Sequence, residues 1–152
     1  MKAITYQQDF YAWTQQNAQG LRQGKLTEID VINIAEELES MGKSQQHALI
    51  NRLAVLLMHL LQWQFQSAKR SRNWELTIIE QRQEIVDLLE DSPSLKHSME
   101  AQLAKAYNKA VIKAELETGI RYTDFPSSCL YTLEQVLDDN FYPESHSLEH
   151  CN

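Results

Sequence analysis

The chain is 152 residues long, the size of one ordinary domain. It holds 4 Gly and 3 Pro, too few for the tight turns of an all-β sandwich or barrel, or for a glycine-rich phosphate loop. A formal net charge of −7 opposes non-specific binding to nucleic acid or anionic lipid, since both need clustered Lys and Arg.

Leu appears 19 times and Val 5 times, a balance that favours helix over strand. The expected fold class is all-α: an up-and-down bundle of four to five main helices with a short C-terminal helix. The first helical segment runs from about Asp9 to Gln23, carries Phe10, Trp13 and Leu21, and ends at Gly24. Thr27, three residues before Asp30, approximates a capping box and opens a second helix to Met41, with Gly42 as its stop. Ser44 caps a third, longest helix to about Gln66, and a polar, basic connection follows from Ser67 to Asn73. The fourth helix runs from about Trp74 to Glu90. Ser92-Pro93 then restarts the chain into a fifth, which ends at Thr118 before Gly119. Thr132 to Asp138 forms a short sixth helix, with Gln135 completing a capping box. Residues 1–142 read as a single helical domain and 143–152 as a polar, flexible tail.

The start, Met1 to Asp9, has no apolar stretch of signal-peptide type, and Leu53 to Leu61 is too short to span a membrane. Cys129 and Cys151 are too few for a disulfide framework and read as reduced thiols. A soluble, cytoplasmic protein is expected.

On the third helix Leu49, Leu53, Leu56, Leu60 and Trp63 share one face, and apolar residues cover much of the rest, as in the central helix of a bundle. Arg52 and His59 interrupt that face, Gln81 and Arg82 interrupt the apolar face of the fourth helix, and Glu36 and Glu39 lie on the second. Buried charges need partners, so these six residues are expected to meet in a buried polar cluster. Two readings of the cluster stand side by side. In one, the groups satisfy each other and set helix register. In the other, Glu36, His59 and Arg82 are candidate catalytic residues lining a pocket, with His59 as base and Glu36 orienting it.

No metal or cofactor is expected. No Glu stands three residues before a His, as di-iron bundles require, and His47, His59 and His97 are isolated. The run His146-Ser147-Leu148-Glu149-His150 matches an inverted zincin pattern in letters only, because the chain supplies no third ligand beyond it. Lys69, Arg70 and Arg72 beside Trp74 offer a short basic stretch that could grip a phosphate backbone, but without a second basic patch.

The polar positions also carry a family likeness. The runs Asp9-Phe10-Tyr11-Ala12-Trp13, Glu36-Glu37-Leu38-Glu39-x-Met41-Gly42 and Leu57-x-His59-Leu60-Leu61-x-Trp63-Gln64-x-Gln66 stand at joint spacing with Ser71-x-x-Trp74, Ile78-x-x-Gln81-Arg82, Pro93-Ser94-Leu95, Tyr131-Thr132-Leu133-Glu134 and Phe141-x-Pro143. Over nearly its whole length the chain resembles the family catalogued as domain of unknown function 29, abundant in cyanobacteria. Gln62 and Ser67 depart from the residues commoner at those places. The resemblance implies an all-helical, cytoplasmic bacterial protein and no established activity. The leading expectation is a non-catalytic helical module working through protein contacts, alone or as a homodimer. An enzyme with the Glu36–His59–Arg82 pocket comes second, and nucleic-acid binding through Lys69 to Arg72 third.

Overall fold

A computed structural model describes residues 5–146 of the chain, and among them it is all helical. Five α-helices follow in order: α1 (Phe10–Arg22), α2 (Val31–Phe65), α3 (Arg72–Asp91), α4 (Met99–Thr118) and the short α5 (Leu133–Leu137). Short 3₁₀ segments lie at Ser67–Lys69, Pro93–Ser98 and Tyr122–Asp124. The chain divides into two compact units, Met1–Ser44 and Gln45–Asn152, and the division falls within α2.

The helix ends follow from local chemistry, with three corrections. Asp9 caps α1 by accepting the Ala12 N–H at 3.0 Å, and Gly24 leaves the helix at φ +71°, which only Gly adopts without strain. The cap of α2 is Asp30, whose carboxylate accepts the Asn33 N–H at 3.3 Å, and not Thr27. Nor does the chain break at Gly42. The expected second and third helices are one, and Ser44 is an ordinary helical residue. A helix tolerates an interior Gly at a cost of about 1 kcal/mol relative to Ala. Pro93 opens a 3₁₀ turn, so α4 begins only at Met99, and it ends at Gly119 with φ +78°. The capping box of α5 forms in full, with Gln135 N–H on the Thr132 hydroxyl at 3.1 Å and Thr132 N–H on the Gln135 side chain at 3.0 Å.

The two helical glycines of the first unit predict opposite outcomes. A Cβ at Gly42 meets nothing within 4 Å, whereas one at Gly20 would stand 2.8 Å from Ile29 Cγ2. Gly42→Ala is therefore expected to raise stability by up to about 1 kcal/mol. Gly20→Ala loses that gain to the clash and lowers the melting temperature in thermal unfolding.

In the second unit the C-terminal half of α2 is enclosed. Leu49, Leu53, Leu56, Leu57 and Leu60 are sealed against Ile78 and Ile85 of α3, Ala106, Ala110 and Ala114 of α4, and Val136 of α5. The alanines let neighbouring backbones approach, and each sealed Leu contributes roughly 1.5–3 kcal/mol. Trp63, expected on the same face, is only half-buried and packs on Tyr142 at 4.9 Å between ring centres. The expected tail begins too early. Pro143 is buried, and the His146 N–H donates to the Gln64 carbonyl at 2.9 Å, so residues 143–146 are held against α2.

Candidate functional site

The six polar residues expected to cluster find separate surroundings. Glu36 and Glu39 lie on α2 within the first unit and are exposed, so neither is the buried acid the cluster required. Water already solvates them, and no burial forces a partner on them. Arg52 lies 3.6 Å from Glu84 of α3, with both side chains part-exposed, a geometry worth little. The Nδ1 of half-buried His59 lies 2.9 Å from the Val55 carbonyl of its own helix. Gln81 keeps its Oε1 buried without a hydrogen-bond partner among the described residues.

Among the described residues Arg82 is the one fully buried charge, 1% exposed, and its partners are backbone carbonyls. Its Nε donates to Val136 O at 2.9 Å. Its Nη2 donates to Phe141 O at 2.7 Å and Gln135 O at 3.4 Å, and Nη1 reaches Asp139 O at 3.5 Å. The Tyr142 ring centre lies 5.5 Å from the guanidinium carbon. These carbonyls belong to the last turn of α5 and the strand of chain after it, where the helix leaves acceptors unfilled and its dipole favours a cation. Burial pushes the guanidinium below its ordinary pKa, opposed by Tyr142, Asp139 and Asp138. Arg82 thus clamps the C-terminal segment. Its guanidinium is turned to these carbonyls and sealed from solvent within the second unit.

The first unit holds a network that sequence reading passed over. Trp13 Nε1 donates to Asp30 Oδ2 at 2.9 Å, Asn33 Nδ2 donates to the same oxygen at 2.8 Å, and the Asp30 N–H donates to Asn17 Oδ1 at 2.7 Å. Asn17 in turn donates to the Trp13 carbonyl at 2.9 Å. The network joins α1 to the start of α2 beside an open cleft of about 480 Å³. Asp30 three residues before Asn33, ahead of Val31-Ile32, was the available signal. Tyr6 adds a hydrogen bond to Glu37 and packs edge-on to Trp13 at 4.9 Å.

The hydrogen bonds from Asn33 and Trp13 hold the Asp30 carboxyl below its ordinary pKa. A carboxylate so favoured by folding contributes stability in full above its unfolded pKa of about 4, and the contribution fades as pH falls through the lowered native value. Asp30→Asn is expected to flatten the acid limb of the stability profile in denaturant unfolding at stepped pH.

Burial pushes the Tyr107 phenol up to about 12, and it also raises the Tyr131 phenol and the Cys129 thiol. Tyr107 donates to the Pro126 carbonyl and Tyr131 to Gln64, so both phenols fasten the loop between α4 and α5 and stay protonated. In the basic stretch, Arg70 donates Nε to the Trp63 carbonyl at 2.8 Å and stacks over its ring, and Arg72 pairs with Glu75 at 2.9 Å. Lys69 alone faces solvent without such a tie. Among the described residues no group of three His, Cys, Asp or Glu is placed to hold a metal ion, and no helix is long and apolar enough to cross a membrane. His47 and His97 are exposed. Of the His146–His150 run only His146 lies among the described residues, and Cys151 lies outside them.

What the surface does present is apolar. Val31, Ile32, Leu38 and Met41 of α2 are exposed, Leu38 to 63%, while the first unit buries only Trp13 and Asn17 among its described residues. Val31, Leu38 and Met41 fall on one stripe of the helix, with half-buried Ile34 on the same side.

A family model described as Domain of unknown function DUF29 matches residues 5–142. No curated protein and no solved structure matches the chain. The match covers both helical units from Thr5 to Tyr142, Arg82 and its carbonyl partners included, and the chain belongs to the family described as Domain of unknown function DUF29.

Proposed function

We propose that the chain is a non-catalytic helical module that acts through protein–protein contacts, with the N-terminal half of α2 as a partner-binding face. The observation that carries this reading is the exposed stripe Val31–Leu38–Met41 with Ile32 beside it. Contiguous apolar surface of this kind marks interaction sites, and a partner helix laid on it would read the i, i+7, i+10 spacing. Within this reading the protein works in the cytoplasm, with Cys129 as a half-buried free thiol bonded to the Tyr131 carbonyl.

A photo-crosslinking residue placed at Leu38 in living cells tests it. Discrete adducts are expected that vanish when Val31→Asp and Met41→Asp are added. Adducts no stronger than those from an exposed polar position such as Gln19 would overturn the reading.

A further inference from the structure

Two outer faces of the second unit carry features that its core does not explain. On α3, Leu76, Ile79 and Val86 are exposed at i, i+3 and i+10. Gln83 completes this stripe, and exposed Glu80 and Asp87 run along one edge of it. On α4, Lys105, Lys109, Ile112 and Leu116 form a second exposed stripe, with Leu116 82% exposed. None of Glu80, Asp87, Lys105 and Lys109 forms an ion pair among the described residues. Asp87 accepts a hydrogen bond from Gln83 at 3.1 Å, and Lys109 donates to Asn51 at 3.3 Å, both at the exposed surface.

The two faces are complementary in order as well as in sign. The α3 face opens on Leu76 and Ile79 and ends on Asp87 beside Val86, while α4 runs from Lys105 and Lys109 to Ile112 and Leu116, so antiparallel docking sets Leu76 and Ile79 against the apolar end of α4 and Asp87 against its basic end. With Leu76 placed opposite Leu116, the shared rise of about 1.5 Å per residue brings Asp87 level with Lys105. Ile79 then falls within one residue of Ile112, and Glu80, at the edge of the stripe, comes level with Ile112. Lys109 comes level with Gln83, between Glu80 and Asp87 and within reach of both. A parallel docking would instead lay Leu76 and Ile79 over the lysines and Asp87 over Leu116.

We propose that the protein self-associates through its second unit, α3 of one copy docking antiparallel on α4 of another in this register. A second copy supplies the matching face of hydrophobic and charged residues, and two such contacts related by a twofold axis would close a dimer. The contact uses none of the α2 residues of the partner-binding face, so the two readings stand or fall separately.

Sedimentation velocity of the full chain across concentration and salt tests the proposal. The expected result is a species heavier than the 17.7 kDa monomer that dissociates as salt rises. Glu80→Lys with Asp87→Lys should weaken association about tenfold or more, and so should Lys105→Glu with Lys109→Glu, each remaining folded by circular dichroism. Each double variant sets like charges against each other when it pairs with itself, but an equimolar mixture of the two restores both charge-matched contacts and should recover the heavy species. A wild-type chain that stays monomeric at low salt up to millimolar concentration overturns the proposal and leaves the acidic face to a basic partner of another kind. Charge-reversed variants that associate like wild type, or a mixture of folded variants that does not recover, overturn it equally.

Discussion

Replacing Arg82 with alanine is expected to cost about 3–5 kcal/mol, a large part of the stability of a domain this size. The loss has two sources. The buried Val136 carbonyl and the part-buried Phe141 carbonyl lose their short bonds to the guanidinium, the longer ones to Gln135 and Asp139 go with them, and the removed side chain, 1% exposed, leaves a cavity beneath α5. Lysine should recover little. Its ammonium is a point charge, whereas the guanidinium fork reaches carbonyls on both sides of the turn. Urea unfolding measures the total, and limited proteolysis shows where it acts: cleavage is expected first between α5 and Pro143. A variant within 0.5 kcal/mol of wild type, about the spread of ordinary surface substitutions, would show that α5 holds itself in place.

Trp13→Ala is expected to cost about 3–5 kcal/mol as well, but within the first unit. Trp13 is 3% exposed. It stacks on Phe10 at 5.8 Å, meets Tyr6 edge-on, and supplies one of the hydrogen bonds that hold Asp30 at the start of α2. Hydrogen exchange by residue should show α1 and the first turns of α2 losing protection while Leu53, Ile85 and Ala110 of the second unit keep theirs. Trp13→Phe should recover the ring packing and not the bond to Asp30, which separates the two contributions. Equal loss of protection in both units would show that they unfold as one.

Much of the architecture was legible in the residues because helix formation is local. Leu, Gln and Glu at helical spacing and the Thr132–Gln135 box act within four residues of themselves, where sequence carries the whole of the geometry, whereas the cap at Ser71 was read as part of the connection before the helix. Gly42 shows the limit of that approach. A glycine stops a helix only where the backbone turns left-handed, as at Gly24 and Gly119, and the letter alone does not say which it will do. Thr27 and Asp30 competed for the same cap, and the bond from Trp13, seventeen residues away, goes to Asp30.

The candidate site was legible in part for the same reason. Arg82 on an apolar face announced a buried cation that needed partners. The partners are main-chain oxygens more than fifty residues on, which leave no pattern in side-chain type. Glu36, an acid on the helix before, was the side chain that composition suggested, and it stands in water.

The scarcity of Gly and Pro, the leucine-rich periodicity and the end-capping residues by themselves determined an all-helical chain and the place of most of its helices, because each rests on contacts within a turn or two. Only the tertiary structure decided that Asp30 ties α1 to α2, that Arg82 clamps the segment after α5 through its main-chain carbonyls, and that the stripes of α2, α3 and α4 face outward. Which groups meet across distant segments, and which apolar faces stay uncovered, depends on how helices pack in space.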